Sequence, residues 1–273
     1  LKITSKYFKA IPNGFINFFR DDCVMLAGSL TFFSIMAAIP FCLLLLTFFN
    51  YILGTNEEFL RFFVIKLEKL FPAITLEVTE KIIKLLSIRG IEGISFVLYA
   101  FQSFQLFLCL EFTSNIIFKS RGRRHFLISF FLSLVLVTLI IILILISFIV
   151  SSIISMLAQY EEIPSFLQIG KITGFLLGAI VPLTLVFVAV TSLYVIVPRH
   201  KVKLKNALIG ALFTTIFLEA AKHIFTFVIG EVIDFGIIYG SLSVTMIFLL
   251  WIFYSWCIYL VGAEIVEILE KWR

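Results

Sequence analysis

Charge is scarce in this chain. Only 14% of its 273 residues are Asp, Glu, Lys or Arg, against 61% hydrophobic. An ordinary soluble domain is about a quarter charged and about half apolar. So little charge excludes a disordered segment, which needs low hydrophobicity, and it excludes a water-soluble globule. Histidine is scarce too. The three His (His125, His200 and His223) stand apart from one another and from any Cys, so no metal-ligand spacing exists. The four Cys (Cys23, Cys42, Cys109 and Cys257) form no close pair, which rules out a disulfide scaffold. They fall in or at the ends of apolar runs and read as small buried hydrophobes. There is no P-loop, no GxGxxG and no GxSxG. These absences predict no catalytic residue, no metal and no cofactor, and a primary pump would need a separate ATPase.

What the chain has in abundance is apolar length, with a mean hydropathy of +1.12. Cys23–Asn56, Gly93–Leu110, Phe126–Tyr160, Ile172–Pro198, Ala207–Leu218 and Phe235–Ala263 contain no Asp, Glu, Lys or Arg. A helix crossing the hydrocarbon core needs about 20 residues at ~1.5 Å rise each. Four of the six stretches reach that alone. The second reaches it by running past Glu111 to Phe118, and the fifth by absorbing Glu219 and Lys222. The expectation is an all-α integral membrane protein forming one domain over 1–273. It has six transmembrane helices at about 23–53, 92–118, 126–157, 171–198, 205–230 and 238–268. The first apolar run is too long for a cleaved signal peptide.

The excess of 22 Lys+Arg over 17 Asp+Glu is explained by position. Lys2, Lys6, Lys9 and Arg20 precede the first span. Lys119, Arg121, Arg123 and Arg124 follow the second, Arg199, Lys201, Lys203 and Lys205 follow the fourth, and Lys271 and Arg273 end the chain. All fall on one side of a six-span topology, whereas the opposite connections after spans three and five hold only Lys171. The positive-inside rule then places both termini in the cytoplasm. Topology and anionic-lipid contact account for these clusters without nucleic acid. The connection after the first span is different. Residues 57–89 nearly balance six bases against five acids, with apolar residues at helical spacing and Pro72 between two halves. This predicts a pair of short amphipathic helices outside the membrane over 56–90, as a cap on the bundle or as a lipid-contacting lid.

Ionisable residues inside spans are costly and mark candidate sites. Glu219 and Lys222 lie about 20–26 Å along the fifth span. They are three apart on one face, with His223 adjacent. They read either as a self-neutralising ion pair or as an intramembrane polar site for a headgroup, an ion or a proton. Gln102 and Gln105 share a face near the middle of the second span. Asp21, Glu111, Asn115 and Glu264 come to one cytoplasmic-side level with Arg123, Arg124 and Arg199. They read either as interfacial ion pairs holding helix ends or as a cytoplasmic gate or headgroup site. Gly170, Gly174 and Gly178 form a GxxxGxxxG packing motif, and Pro40 and Pro182 are mid-span hinge candidates.

Several stretches together resemble the YihY/BrkB family of bacterial inner-membrane proteins, formerly mislabelled ribonuclease BN. They are Asp21 followed by LAGSLTFFSIMAAIP (Leu26–Pro40), LFPA (Leu70–Ala73), and Asn115 with its following basic run. LYVIVP (Leu193–Pro198), IGALFTTIFLEAAKH (Ile209–His223), YGSL (Tyr239–Leu242), Trp251 and VGAEI (Val261–Ile265) complete the set. Departures are Thr31, where a small residue is commoner, and His223, where a second base can occur. The resemblance implies a multi-pass protein of the bacterial cytoplasmic membrane with both termini inside. It also implies a virulence-linked or lipid-related envelope role, without a settled activity. The nuclease label finds no support in the sequence, which lacks a metal-binding cluster and the soluble mass to hold RNA. The expected function is a transporter or flippase of envelope lipids or amphiphilic anions, with membrane lipids as partners. The alternatives are a non-transporting envelope scaffold, then an intramembrane enzyme built on Glu111 and Glu264, then a passive channel. No oligomer is evident from the sequence.

Overall fold

The computed structural model describes residues 2–53, 91–120, 124–136, 138–139, 169–227 and 243–271. The described residues are helical, without strands. The helices are α1 (Lys2–Arg20), α2 (Cys23–Leu53), α3 (Ile91–Ile117), α4 (Phe126–Leu136), α5 (Ile169–Ile196), α6 (Leu204–Phe227) and α7 (Ser243–Lys271). Among the described residues, Phe96–Ile117, Leu204–Phe225 and Met246–Lys271 are long and apolar enough to cross a membrane, and Cys23–Ala37, Phe126–Leu136 and Ile180–Ile196 are shorter apolar helices. Helix is what such sequences must form in lipid, because only a helix satisfies its backbone polar groups within one segment. Pro40 and Pro182 lie inside α2 and α5, and neither ends its helix. The amphipathic segment expected over 56–90 lies outside the described residues.

The residues before Asp21 carry the bases that read as topology markers. They form α1, a 19-residue helix. It ends where Asp21 N–H returns to Asn17 O at 2.8 Å and Asp22 adopts φ 52°. Asp tolerates this left-handed conformation better than most residues. The same pair then stands just before α2, where acids favour a helix N-terminus. The end of α3 is sharper. Ser120 N–H bonds Asn115 O at 3.0 Å and Lys119 N–H bonds Ile116 O at 3.2 Å, with Lys119 at φ 48°. This is a Schellman cap with lysine where glycine is usual. Lys119→Gly is therefore expected to stabilise the protein by about 1 kcal/mol, read as a higher thermal midpoint in detergent. A lower midpoint would mean that the lysine side chain contributes more than its backbone conformation costs.

The chain groups into two compact units. One comprises Leu1–Val24, Leu110–Ala221 and Cys257–Arg273, the other Met25–Cys109 and Lys222–Trp256. The core of the first is built around Tyr194 of α5, which is fully buried. Its hydroxyl donates to Tyr259 O at 2.6 Å and shares a hydrogen bond with Thr214 Oγ1 at 2.8 Å. The Tyr194 and Tyr259 rings stack at 4.8 Å. Glycines make this possible. A Cβ on Gly262 would fall on Thr214 Oγ1 and the Tyr194 hydroxyl, and one on Gly210 would fall on the Val266 side chain. At the start of α6, Glu270 of α7 accepts the Lys203 N–H and the Asn206 amide, both at 2.8 Å. A carboxylate there satisfies an orphan donor and suits the positive end of the helix. In the second unit, Trp256 Nε1 donates to Ser34 Oγ at 2.9 Å, and Phe225 packs against Trp251 and Tyr254.

Large apolar side chains remain outside these cores. Phe112, Phe131 and Ile216 are 62%, 65% and 53% exposed. A water-soluble monomer rarely exposes so many large apolar side chains. Lipid is the solvent that makes it stable.

Candidate functional site

The residues expected to form one cytoplasmic-side layer divide into two hydrogen-bonded groups. The first centres on Glu111, near the end of α3 and almost fully buried. Arg199, just beyond α5, donates from Nε to Glu111 Oε1 at 2.8 Å. Arg124, just before α4, brings its Nε within 3.6 Å of the same oxygen. Ser129 of α4 donates to Glu111 Oε2 at 3.3 Å. The Arg124 Nη2 group donates to the carbonyls of Ile196 and Pro198, at 3.5 and 3.3 Å, tying the end of α5 to the same point. Burying a carboxylate is costly unless it is paired and hydrogen-bonded, and Glu111 is both.

The group is not fully satisfied. Arg124 Nη1 and Asn115 Oδ1 are buried and have no hydrogen-bond partner among the described residues. Asn115 lies four residues after Glu111 on α3, so both belong to one helical face. One carboxylate faces two guanidiniums, so the group carries a net positive charge. An unspent donor, an unspent acceptor and surplus positive charge are what an anionic, hydrogen-bonding ligand would complement.

The second group centres on Glu264 of α7, 1% exposed. Its carboxylate accepts from Cys23 Sγ at 3.8 Å and from the Asn17 side chain. Asp21 and Glu267 are its acidic neighbours. Asp21 itself pairs with the exposed Arg20 at 3.4 Å, and Glu267 with Lys271 one helical turn on. Arg123 lies outside the described residues.

The candidates expected within the membrane occupy the second half of α6 (Leu204–Phe227). Glu219 is half-buried, while Lys222 and His223 are exposed. Gln102 and Gln105 are half-buried on α3. Gly170, Gly174 and Gly178 lie within α5, but their surroundings are outside what is described. Among the described residues, no group of three His, Cys, Asp or Glu is placed to hold a metal ion.

Sequence reasoning missed Ser129, Cys23 and Asn17 as carboxylate partners, and Gly210 and Gly262 as close-packing positions. Signals existed for some of them. Ser129 and Ser133 are polar residues four apart in an apolar helix, and both are buried. Gly210 and Thr214, again four apart, match the small-xxx-small pattern of close helix approach. Cys23 and Asn17 gave no signal, since their partner is 241 residues away from Cys23.

The family described as virulence factor BrkB matches residues 15–273, nearly the whole chain. The chain belongs to this family. Curated relatives agree with that membership of a BrkB-family membrane protein. One is a UPF0761 membrane protein of Yersinia enterocolitica, 42% identical over 34% of this chain and 31% of that protein. Another, from Coxiella burnetii, is 40% identical over 33% of this chain and 32% of that protein. A third, from Azotobacter vinelandii, is 40% identical over 34% of this chain and 24% of that protein. The chain thus aligns with a third or less of the length of each of these relatives. No solved structure matches it. For this BrkB-family chain, then, the membrane setting is common ground, and the chemistry must be argued from its own side chains.

Proposed function

We propose that this BrkB-family protein is a transporter or flippase for envelope lipids or amphiphilic anions. On this reading it is a six-span protein of the bacterial cytoplasmic membrane with both termini inside. The observation that carries the proposal is the Glu111 group. Two arginines converge on one buried carboxylate at the helix ends, with an Arg124 N–H group and an Asn115 oxygen unpaired among the described residues. Such a group suits a phosphate-bearing or carboxylate-bearing headgroup. Glu219 and Lys222, farther along α6, are the second polar station on this reading. Polar groups held within a membrane bundle are the recurring mark of a translocation path. The apolar exterior would leave acyl chains in lipid while a headgroup moves.

The test is reconstitution. Purified protein in liposomes is expected to move a labelled anionic lipid or amphiphile across the bilayer faster than empty liposomes do. Arg124→Ala and the double variant Glu219→Ala/Lys222→Ala are expected to lower that rate at unchanged protein incorporation. Background rates for the native protein, with full cellular function retained by the double variant, would refute the proposal. A non-transporting envelope scaffold is the second reading. The close packing around Tyr194, Gly210 and Gly262 supports it, because a rigid bundle is what an assembly platform requires.

A further inference from the structure

α1 presents three faces with three chemistries. Ala10, Gly14 and Phe18 are buried. Gly14 lets the helix sit directly on α7, since a Cβ there would lie 2.7 Å from Ile265 Cγ1. Turning around the helix, Ile11, Phe15, Ile16 and Phe19 form an apolar stripe and are 37%, 40%, 63% and 68% exposed. On the remaining face lie the exposed Lys9, Asn13 and Arg20, and in the sequence Lys2 and Lys6 continue the same helical spacing. α1 contains four bases and no acid, although Arg20 sits beside Asp21 at the turn.

We infer that α1 lies in the plane of the membrane surface, with its apolar stripe inserted among lipid chains and its basic face gathering anionic lipid headgroups. Three observations select lipid as the occupant of the apolar stripe. The first is continuity. Phe15 meets Phe213 of α6 with ring centroids 6.3 Å apart. Beside it on α6 runs the exposed stripe of Leu204, Leu208, Leu212 and Ile216. α6 is long and apolar enough to cross a membrane, so the two stripes form one surface that meets lipid. The second is charge. A helix with only basic charges next to an apolar stripe is complementary to an anionic leaflet. The third is the rigid seat on Ile265, which holds α1 against the protein so that its other two faces divide between chains and headgroups. This inference does not depend on transport, and it assigns a lipid-reading role to a helix that the Glu111 group does not use.

The test uses the full chain in vesicles. In a background with Cys23, Cys42, Cys109 and Cys257 replaced by Ala, a fluorophore is attached at Ile16→Cys or at Lys9→Cys. Quenching by a nitroxide carried on lipid chains is expected to be roughly threefold stronger at position 16 than at position 9, with aqueous iodide giving the reverse order. Replacing about one-third of a zwitterionic lipid by phosphatidylglycerol should deepen the label at position 16. It should do so less when Lys2, Lys6 and Lys9 are all changed to Gln. Equal access of iodide to both positions would overturn the inference. So would a label at position 16 shielded from both quenchers, which would mean that a protein surface covers the stripe. An unchanged response after the Lys→Gln changes would overturn the anionic-lipid part. If the cysteine-free protein does not insert, Phe19→Trp in the native chain serves instead. Brominated lipids should then quench a component absent from the native protein, and no added quenching would count against the inference.

Discussion

Glu111→Ala is expected to destabilise the protein by about 3 kcal/mol, a fall of roughly 5–10 °C in thermal midpoint. The reason is the company Glu111 keeps. Its side chain is 3% exposed, and the two arginines beside it are each 20% exposed. Removing the carboxylate leaves two partly buried guanidiniums facing each other without a counter-charge. It also strands the Ser129 hydroxyl and the Arg199 Nε, both of which donate to it. Losing one partner from a buried ion pair costs more than the pair contributes, because the survivors keep their desolvation penalty. Glu111→Gln should fall between native and Glu111→Ala, since it keeps an acceptor but not the charge. Adding Arg199→Ala to Glu111→Ala should recover part of the loss, a non-additivity expected of groups in one network. Thermal unfolding in detergent, with protein level in membranes as a second readout, checks all three variants. An unchanged midpoint for Glu111→Ala would mean that the cluster adds nothing to stability.

Gly262→Ala should be comparably damaging, although it adds a single methyl group. That methyl would occupy the space of Thr214 Oγ1 and the Tyr194 hydroxyl, which hydrogen-bond each other in a fully buried site. Overpacking costs about 1–3 kcal/mol, and a buried hydroxyl driven from its partner costs about 1–3 kcal/mol more. The Tyr194 hydroxyl also donates to Tyr259 O, so pushing it aside disturbs the contact between α5 and α7. The sharper measurement is a double-mutant cycle. In a Tyr194→Phe background the oxygen is gone, and Gly262→Ala should cost less than it does alone. Equal costs in both backgrounds would show that the methyl is accommodated elsewhere. Gly210→Ala, which meets Val266 instead, should be insensitive to Tyr194→Phe.

Much of the helical framework was legible in the sequence, because lipid makes the rule simple. Unbroken apolar length forces helix. The span expected over about 92–118 matches α3 (Ile91–Ile117), and the starts of α2 and α4 fall where charge runs out. α1 was hidden by the strength of a different signal. Its bases read as topology markers, and the helical recurrence of Ile11, Phe15 and Phe19 among them is a weaker signal. The acids and arginines near these helix ends stand out in the sequence as candidates, because charge is rare in the apolar runs. Their pairing was not legible.

The sequence alone therefore determined the solvent, the helices and the short roster of charged residues that survive near or within them. Hydropathy and charge are sums along the chain, and sums can be read without coordinates. Only the tertiary structure decided partners. Position along the spans leads one to expect Glu111 and Glu264 at one level, but rotation about each helix axis decides which neighbours a side chain meets. That rotation is set by packing. Glycines at 14, 210 and 262 admit close approach, and the Tyr194 hydrogen bonds join α5, α6 and α7. The result gives Glu111 two arginines and Glu264 a thiol and an amide. Two acids that look alike in the sequence differ in kind once the helices are turned.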